Sequence, residues 1–153
     1  MIKARKKISH NDPFDLSRFM TAQDKIYETA IAELRSGQKR THWMWYIFPQ
    51  IDGLAKSTTS KYYAIKSIEE AREYLNHPIL GTRLLECATV VFGIKGRSIS
   101  EIFDDPDDLK LKSSMTLFAY LTDTESVFAS ILARYFNGDR DVKTLHILEQ
   151  LNN

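Results

Sequence analysis

The chain has 153 residues, of which 43% are hydrophobic and 27% charged, a composition typical of a folded globular protein. Lys and Arg (21) and Asp and Glu (20) nearly balance, and the formal net charge is +1. This balance argues against a nucleic-acid partner, since non-specific binding to nucleic acid depends on a strong basic field. The sequence has one cysteine, no apolar run long enough to span a membrane and no secretory leader, so we expect a cytoplasmic protein without a membrane partner.

The N-terminal segment differs in composition from the rest of the chain. Residues 1–12 carry four positive charges and no acidic residue before Asp12, which predicts a flexible basic arm. Residues 13–153 consist mainly of segments with helical periodicity and are predicted to form a single helical domain.

The first helix is predicted to begin at Pro13, with Asp12 as its cap, and to run toward Arg35. Apolar residues recur in it at intervals of three and four, with Gln23 as an interruption. A second short run extends from His42 to Phe48. Its aromatic composition also fits a buried strand, and helical neighbours favour a helix.

Residues 51–60 lack any period and are rich in Gly, Ser and Thr, which predicts one long irregular loop. Further along, Ser67 and Glu70 form the pattern of a capping box at a helix start. Further helices are predicted after Pro78, after the acidic turn 104–108, and over 126–136 and 141–151. The whole pattern predicts an all-α protein, a single irregular bundle of about seven helices.

Two cations and a histidine directly precede the aromatic run. Lys39, Arg40 and His42 could bind phosphate while Trp43 and Trp45 stack on a planar base, a combination that suits a nucleotide-like ligand. The alternative is that the aromatic residues belong to the core and the cations are solvated.

Polar residues of the loop could extend this site. The loop contributes Gln50, Ser57, Ser60 and Lys61, but its spacing is not that of a P-loop, and its hydroxyl groups could equally cap a helix. A second wall of the site could be formed by Lys112, Ser113 and Ser114.

Metal and nucleophile patterns are weak. The histidines lie far apart in sequence without zinc-ligand spacing, so no metal site is predicted. The acidic residues 104–108 fit a helix N-terminus, and Cys87 lies on an apolar helix face. His42 is the best candidate for a general acid or base. No cofactor can be assigned.

The chain resembles an uncharacterised bacterial family, domain of unknown function 1810, over most of its length. The resemblance is strongest at the stretch from Arg40 to Gln50. Supporting motifs lie at residues 14–19, 22–23, 33–37, 60–65, 77–84, 102–103, 106–108 and 110–118. The resemblance implies a mainly helical single domain and brings no established activity. Members are sometimes labelled calpastatin-like, but calpastatin is a disordered inhibitor and this composition is that of a folded protein.

Two functions remain open from the sequence. In the first, an aromatic and cationic pocket binds a small phosphorylated or nucleotide-like molecule. The protein could also process the molecule that it binds. The alternative is a protein-interaction module without catalytic activity, which would use exposed aromatic residues near Trp45 and at Tyr62 and Tyr63.

Overall fold

The computed structural model describes residues 11–153, and this part of the chain is all-helical, as predicted. It contains nine helices: α1 (Ser17–Arg35), α2 (Met44–Ile47), α3 (Thr58–Tyr62), α4 (Ile68–Asn76), α5 (Leu80–Gly93), α6 (Ile99–Ile102), α7 (Asp107–Tyr120), α8 (Val127–Phe136) and α9 (Val142–Leu151). Residues 1–10 of the predicted basic arm lie outside the described residues, so the division into arm and domain stays a prediction.

The long helices pack around α5, which contacts α1, α4 and α8. Helix α7 packs on α8 and also contacts α9. One hydrophobic core joins these helices, and its largest buried side chains include Trp43, Tyr74, Phe19, Phe48, Phe103, Phe118 and Phe128. Within residues 11–153, no helix is both long and apolar enough to cross a membrane.

Helix α1 begins four residues later than predicted, but Asp12 still caps it. The carboxylate accepts hydrogen bonds from the backbone N–H groups of Leu16 (2.7 Å) and Ser17 (3.0 Å). Gln23 does not interrupt the buried face. It is fully buried, and its side-chain amide donates to the Tyr46 carbonyl (2.8 Å) and the Tyr74 hydroxyl (3.0 Å). This polar contact fixes the position of α2 on α1.

The stretch predicted as a long irregular loop is partly helical. Helix α3 begins inside the predicted loop. Ser57 caps it, because the Ser57 hydroxyl accepts a hydrogen bond from the Ser60 N–H (3.1 Å). An isolated parallel bridge joins Ile51 to Ile65 and ties the two ends of the segment together.

The predicted capping box at α4 is only half formed. Ser67 accepts from the Glu70 N–H (3.0 Å). The Glu70 carboxylate accepts instead from the Lys66 N–H (2.8 Å) and from the buried Arg18 guanidinium (2.7 Å). The ion pair therefore joins α1 to α4, and Arg18 also donates to four backbone carbonyls, among them those of Tyr62 and Ala64 before α4.

Candidate functional site

A buried carboxylate at the end of α1 holds the segment that leads into α2. Glu33 accepts hydrogen bonds from the backbone N–H of Arg40 (2.8 Å), from the N–H and hydroxyl of Thr41 (3.1 and 2.7 Å) and from the Trp43 indole (2.9 Å). Burial opposes ionisation of Glu33, but these donors outweigh it and lower its pKa to about 2. The segment 40–43 is therefore fixed by one ionised side chain.

This segment and α2 form one side of a cavity of about 110 Å³, and the start of α7 forms the other. We call it the Trp45 cavity, and its lining residues are Lys39, His42, Trp43, Met44, Trp45, Tyr46, Asp107 and Lys110. Four of the predicted site residues, Lys39, His42, Trp43 and Trp45, thus lie around one concave surface. His42 is exposed at the surface of the protein.

Two lysines share one carboxylate at the base of the Trp45 cavity. The ammonium groups of Lys39 and Lys110 lie 2.8 and 3.1 Å from the two carboxylate oxygens of Asp107. Burial favours protonated Asp107, but the hydrogen bonds from Lys39 and Lys110 outweigh this and hold its pKa below the usual range. Two ammonium groups against one carboxylate leave the cavity with a net positive charge.

The tryptophans differ in what they offer to a ligand. Trp43 is only 1% exposed, packs against Phe48 and Phe103 and belongs to the core. The ammonium of Lys110 lies 4.3 Å from the centroid of the Trp45 ring and covers one of its faces. The indole N–H of Trp45 is buried and has no hydrogen-bond partner among the described residues. Trp45 therefore offers an unpaired donor more readily than a stacking face.

A second, much smaller cavity lies on another side of Trp45. It has a volume of about 10 Å³ and is lined by the loop 50–55 and by Ser60 and Ala64. This volume is close to the space needed by one water molecule. Gln50 and Ser60, both predicted as ligand contacts, line this cavity and not the larger one.

The remaining predicted site residues lie elsewhere. Arg40 donates to the Ser36 hydroxyl (3.0 Å) in a separate surface depression. Ser57 caps α3, and Lys61 is exposed beside it. The Lys112 ammonium lies 5.9 Å from the Phe136 ring centroid. The Ser113 hydroxyl donates to the Leu109 carbonyl (3.2 Å), whereas the buried Ser114 hydroxyl has no partner among the described residues.

Asp107 and Lys110 line the Trp45 cavity but are not among the predicted site residues, and Asp107 was predicted only as part of a helix N-terminus. They do stand in the first turn of α7, where acidic residues are common. Their separation of three residues puts them on one helix face, together with Ser114 one turn later. That spacing was visible in the sequence, but the position of this face against Trp45 depends on tertiary packing.

Metal ligation finds no support in residues 11–153, where no group of three or more His, Cys, Asp or Glu side chains is placed to hold a metal ion. Asp104 and Asp105 are exposed, and Asp107 is held by lysines.

Comparisons with known proteins identify the family of the chain. No curated protein matches the chain. It is 52% identical to the conserved hypothetical protein Rv1873 from Mycobacterium tuberculosis, and the match covers 90% of this chain and 99% of that one with a TM-score of 0.88. The model of a protein family of unknown function, DUF1810, matches residues 13–148. The chain therefore belongs to the DUF1810 family.

Proposed function

We propose that the Trp45 cavity binds a small oxyanion, such as the phosphate or carboxylate group of a metabolite. The observation that carries the proposal is a cationic cavity lined by Trp45, whose buried N–H has no hydrogen-bond partner among the described residues. Lys39 and Lys110 supply the ammonium groups. Buried polar groups normally have partners, so an unpaired donor beside a cationic cavity favours an acceptor-rich ligand.

The size of the Trp45 cavity limits the ligand. Its volume of about 110 Å³ is well below the roughly 300 to 1,000 Å³ of sites that enclose drug-sized molecules. A whole nucleotide does not fit, but a single phosphate or carboxylate group does. The rest of a phosphorylated ligand would extend past His42 into solvent.

His42 stands at the exposed side of the cavity and is the proposed acid or base of the site. An imidazole there can donate a hydrogen bond to a bound oxyanion or exchange a proton with the group attached to it. Binding needs only the first of these roles.

The test compares two Lys→Met variants on the same helix. Lys110→Met removes a cation from the cavity and retains an apolar stem over Trp45, whereas Lys112→Met removes a cation that lies near Phe136. Inorganic phosphate and acetate are titrated while tryptophan emission and heat are recorded. We expect Lys110→Met to weaken binding roughly tenfold and Lys112→Met to leave it unchanged.

The proposal fails if neither anion binds the wild type, or if both variants lose the same affinity. Circular dichroism and thermal melting of both variants separate a lost ligand from a lost fold. Arg40→Ala is a further control, since its side chain lies in a separate depression, and we expect it to bind the anion as the wild type does.

The alternative role as a protein-interaction module has narrower support. Tyr62 is 54% exposed, and its ring contacts Tyr63 edge-on with centroids 4.8 Å apart. Tyr63 and Trp45, however, are half-buried, so a single aromatic side chain of the predicted patch is open to a partner.

A further inference from the structure

An open depression of about 420 Å³ lies where the C-terminal ends of α1 and α5 meet. Its cationic residues are Arg35 from α1 and Lys95 and Arg97 from the segment after α5, and no acidic residue is among those that line it. We call it the basic groove. It shares no lining residue with the Trp45 cavity, so the two are separate sites.

The cations of the basic groove are not needed to cap α5. The last carbonyls of a helix lack intrahelical partners, and basic side chains often satisfy them. Here other groups do so. The Tyr135 hydroxyl donates to the carbonyls of Val91 (2.8 Å) and Ile94 (3.1 Å), and Arg134 donates to that of Phe92 (3.0 Å). Lys95 and Arg97 are therefore not required to cap α5.

The end of α1 is satisfied in the same way by its own chain. The Ser36 N–H donates to the carbonyls of Ala32 and Glu33, its hydroxyl donates to that of Glu33 (2.6 Å), and the Gly37 N–H donates to that of Leu34 (2.9 Å). These bonds use the free carbonyls at this end of the groove. Its cations thus remain available to a ligand.

The cations also lack strong internal partners. Lys95 and Arg97 are exposed, and no carboxylate among residues 11–153 lies within ion-pair distance of either. Arg35 faces Glu86 at 3.3 Å, but both side chains are largely exposed, and such pairs contribute little. An anion can therefore bind without breaking a buried ion pair.

Gly37 allows the Arg97 side chain to pack closely against the backbone after α1. A Cβ at this position would lie 3.1 Å from the Arg97 Nε, so another residue here would require the Arg97 side chain to shift by a few tenths of an ångström. The backbone φ of +88° also favours glycine here. The close packing of Arg97 on Gly37 is thus a consequence of the backbone of the segment after α1.

We propose that the basic groove binds a diphosphate group. Cations from α1 and from the segment after α5 line one open volume much larger than a phosphate ion, which favours a ligand with two linked anionic groups. Guanidinium groups suit this role because their planar forks donate two hydrogen bonds to phosphate oxygens. The volume also lies within the range of ligand clefts.

The test is isothermal titration calorimetry with inorganic pyrophosphate at low ionic strength. The variant Lys95→Ala/Arg97→Ala removes two groove cations. Its matched control, Arg72→Ala/Lys143→Ala, removes two exposed cations of α4 and α9. We expect saturable one-to-one binding that weakens at least roughly tenfold in the groove variant and stays within about twofold of wild type in the control.

A second variant tests the shape of the groove. A Cβ at Gly93 would meet no atom within 4 Å, and Gly93 lines the groove, so Gly93→Leu adds a side chain where the groove is open. We expect it to weaken pyrophosphate binding while its melting temperature stays at or above that of the wild type. Tryptophan emission should not change on binding, since both tryptophans of the chain line the other cavity.

The proposal is overturned if pyrophosphate gives no saturable heat, or if the control variant loses as much affinity as the groove variant. If Lys110→Met weakens pyrophosphate binding and the groove variant does not, pyrophosphate binds in the Trp45 cavity, and the proposal is also overturned. Titration with ADP distinguishes the sources of the group. If ADP binds with an affinity comparable to that of pyrophosphate, the ligand is the diphosphate group of an organic ester. If ADP does not bind, the ligand is the free pyrophosphate ion.

Discussion

The indole N–H of Trp43 donates to the Glu33 carboxylate at 2.9 Å and joins the core to the segment that precedes α2. The same carboxylate accepts from Arg40 and Thr41, so four donors depend on one side chain. Because Trp43 and His42 line the cavity, the Glu33 carboxylate holds a segment that forms one side of the Trp45 cavity.

Glu33 makes stability depend on acid pH. Its pKa is about 2 in the fold and returns to the ordinary value near 4.3 on unfolding. A lowered pKa stabilises the native state above the unfolded value, and this stabilisation is lost as the pH falls toward the folded value. Between about pH 6 and about pH 3 we expect Glu33 to account for a loss on the order of 2 kcal/mol, measured by urea unfolding.

The control for this prediction is Glu33→Gln, which cannot ionise. It should be less stable than wild type at neutral pH, because Gln cannot accept from all four donors, and its stability should fall less on acidification. Asp107 also has a lowered pKa, and its contribution is the same in both proteins. Parallel pH curves for the two proteins would contradict the assignment.

Much of the fold could be predicted from local sequence signals. The Asp12 cap and the apolar periodicity placed the long helices, and the structure shows Ser126 and Asp141, where two helices were predicted to begin, as N-caps. The short helices α3 and α6 were harder to place. A helix of four or five residues has almost no periodicity, and its stability comes from tertiary packing.

The site was predictable only in part. Lys39, His42, Trp43 and Trp45 are neighbours in sequence, so they stay neighbours in any fold. The roles of Glu33 and Asp107 depend on contacts between segments that are distant in the sequence. The ion pair of Lys39 with Asp107 is an example. Residue types and spacing do not specify which carboxylate meets which cation, because that is decided by how α1, α2 and α7 pack.

The buried ion pair between Arg18 and Glu70 is expected to be costly to break. The two charged groups are 2.7 Å apart, with side chains only 6% and 3% exposed. Glu70→Ala leaves the guanidinium buried without its carboxylate, so we expect a loss of about 3–5 kcal/mol in urea unfolding. The exposed pair of Arg35 and Glu86 is the comparison, where Glu86→Gln should cost less than about 1 kcal/mol. Similar losses at both positions would contradict the prediction.

Two glycines of α5 should respond to alanine with opposite signs. A Cβ on Gly81 would lie 2.0 Å from the carbonyl oxygen of Leu75, a backbone atom of α4 that cannot move alone. We expect Gly81→Ala to destabilise by about 1–3 kcal/mol or more, because α4 and α5 must separate. Gly93→Ala meets no atom and removes a poor helix former, so it should stabilise by up to about 1 kcal/mol. Thermal melting of the two variants measures both effects. If Gly81→Ala melts at the same temperature as the wild type, α4 and α5 are not in close contact at this position.

The single cysteine should be unreactive in the native state. Cys87 is fully buried on α5, and burial raises the pKa of its thiol to about 12, although a contact with Tyr27 partly opposes the shift. The thiolate is the reactive form, so a disulfide reagent at about pH 8 should label it only through opening of the structure. We expect negligible labelling in native buffer and complete labelling in denaturant. Rapid native labelling with unchanged circular dichroism would mean that the contact between α1 and α5 opens locally at low cost, because the Tyr27 side chain that covers the thiol comes from α1.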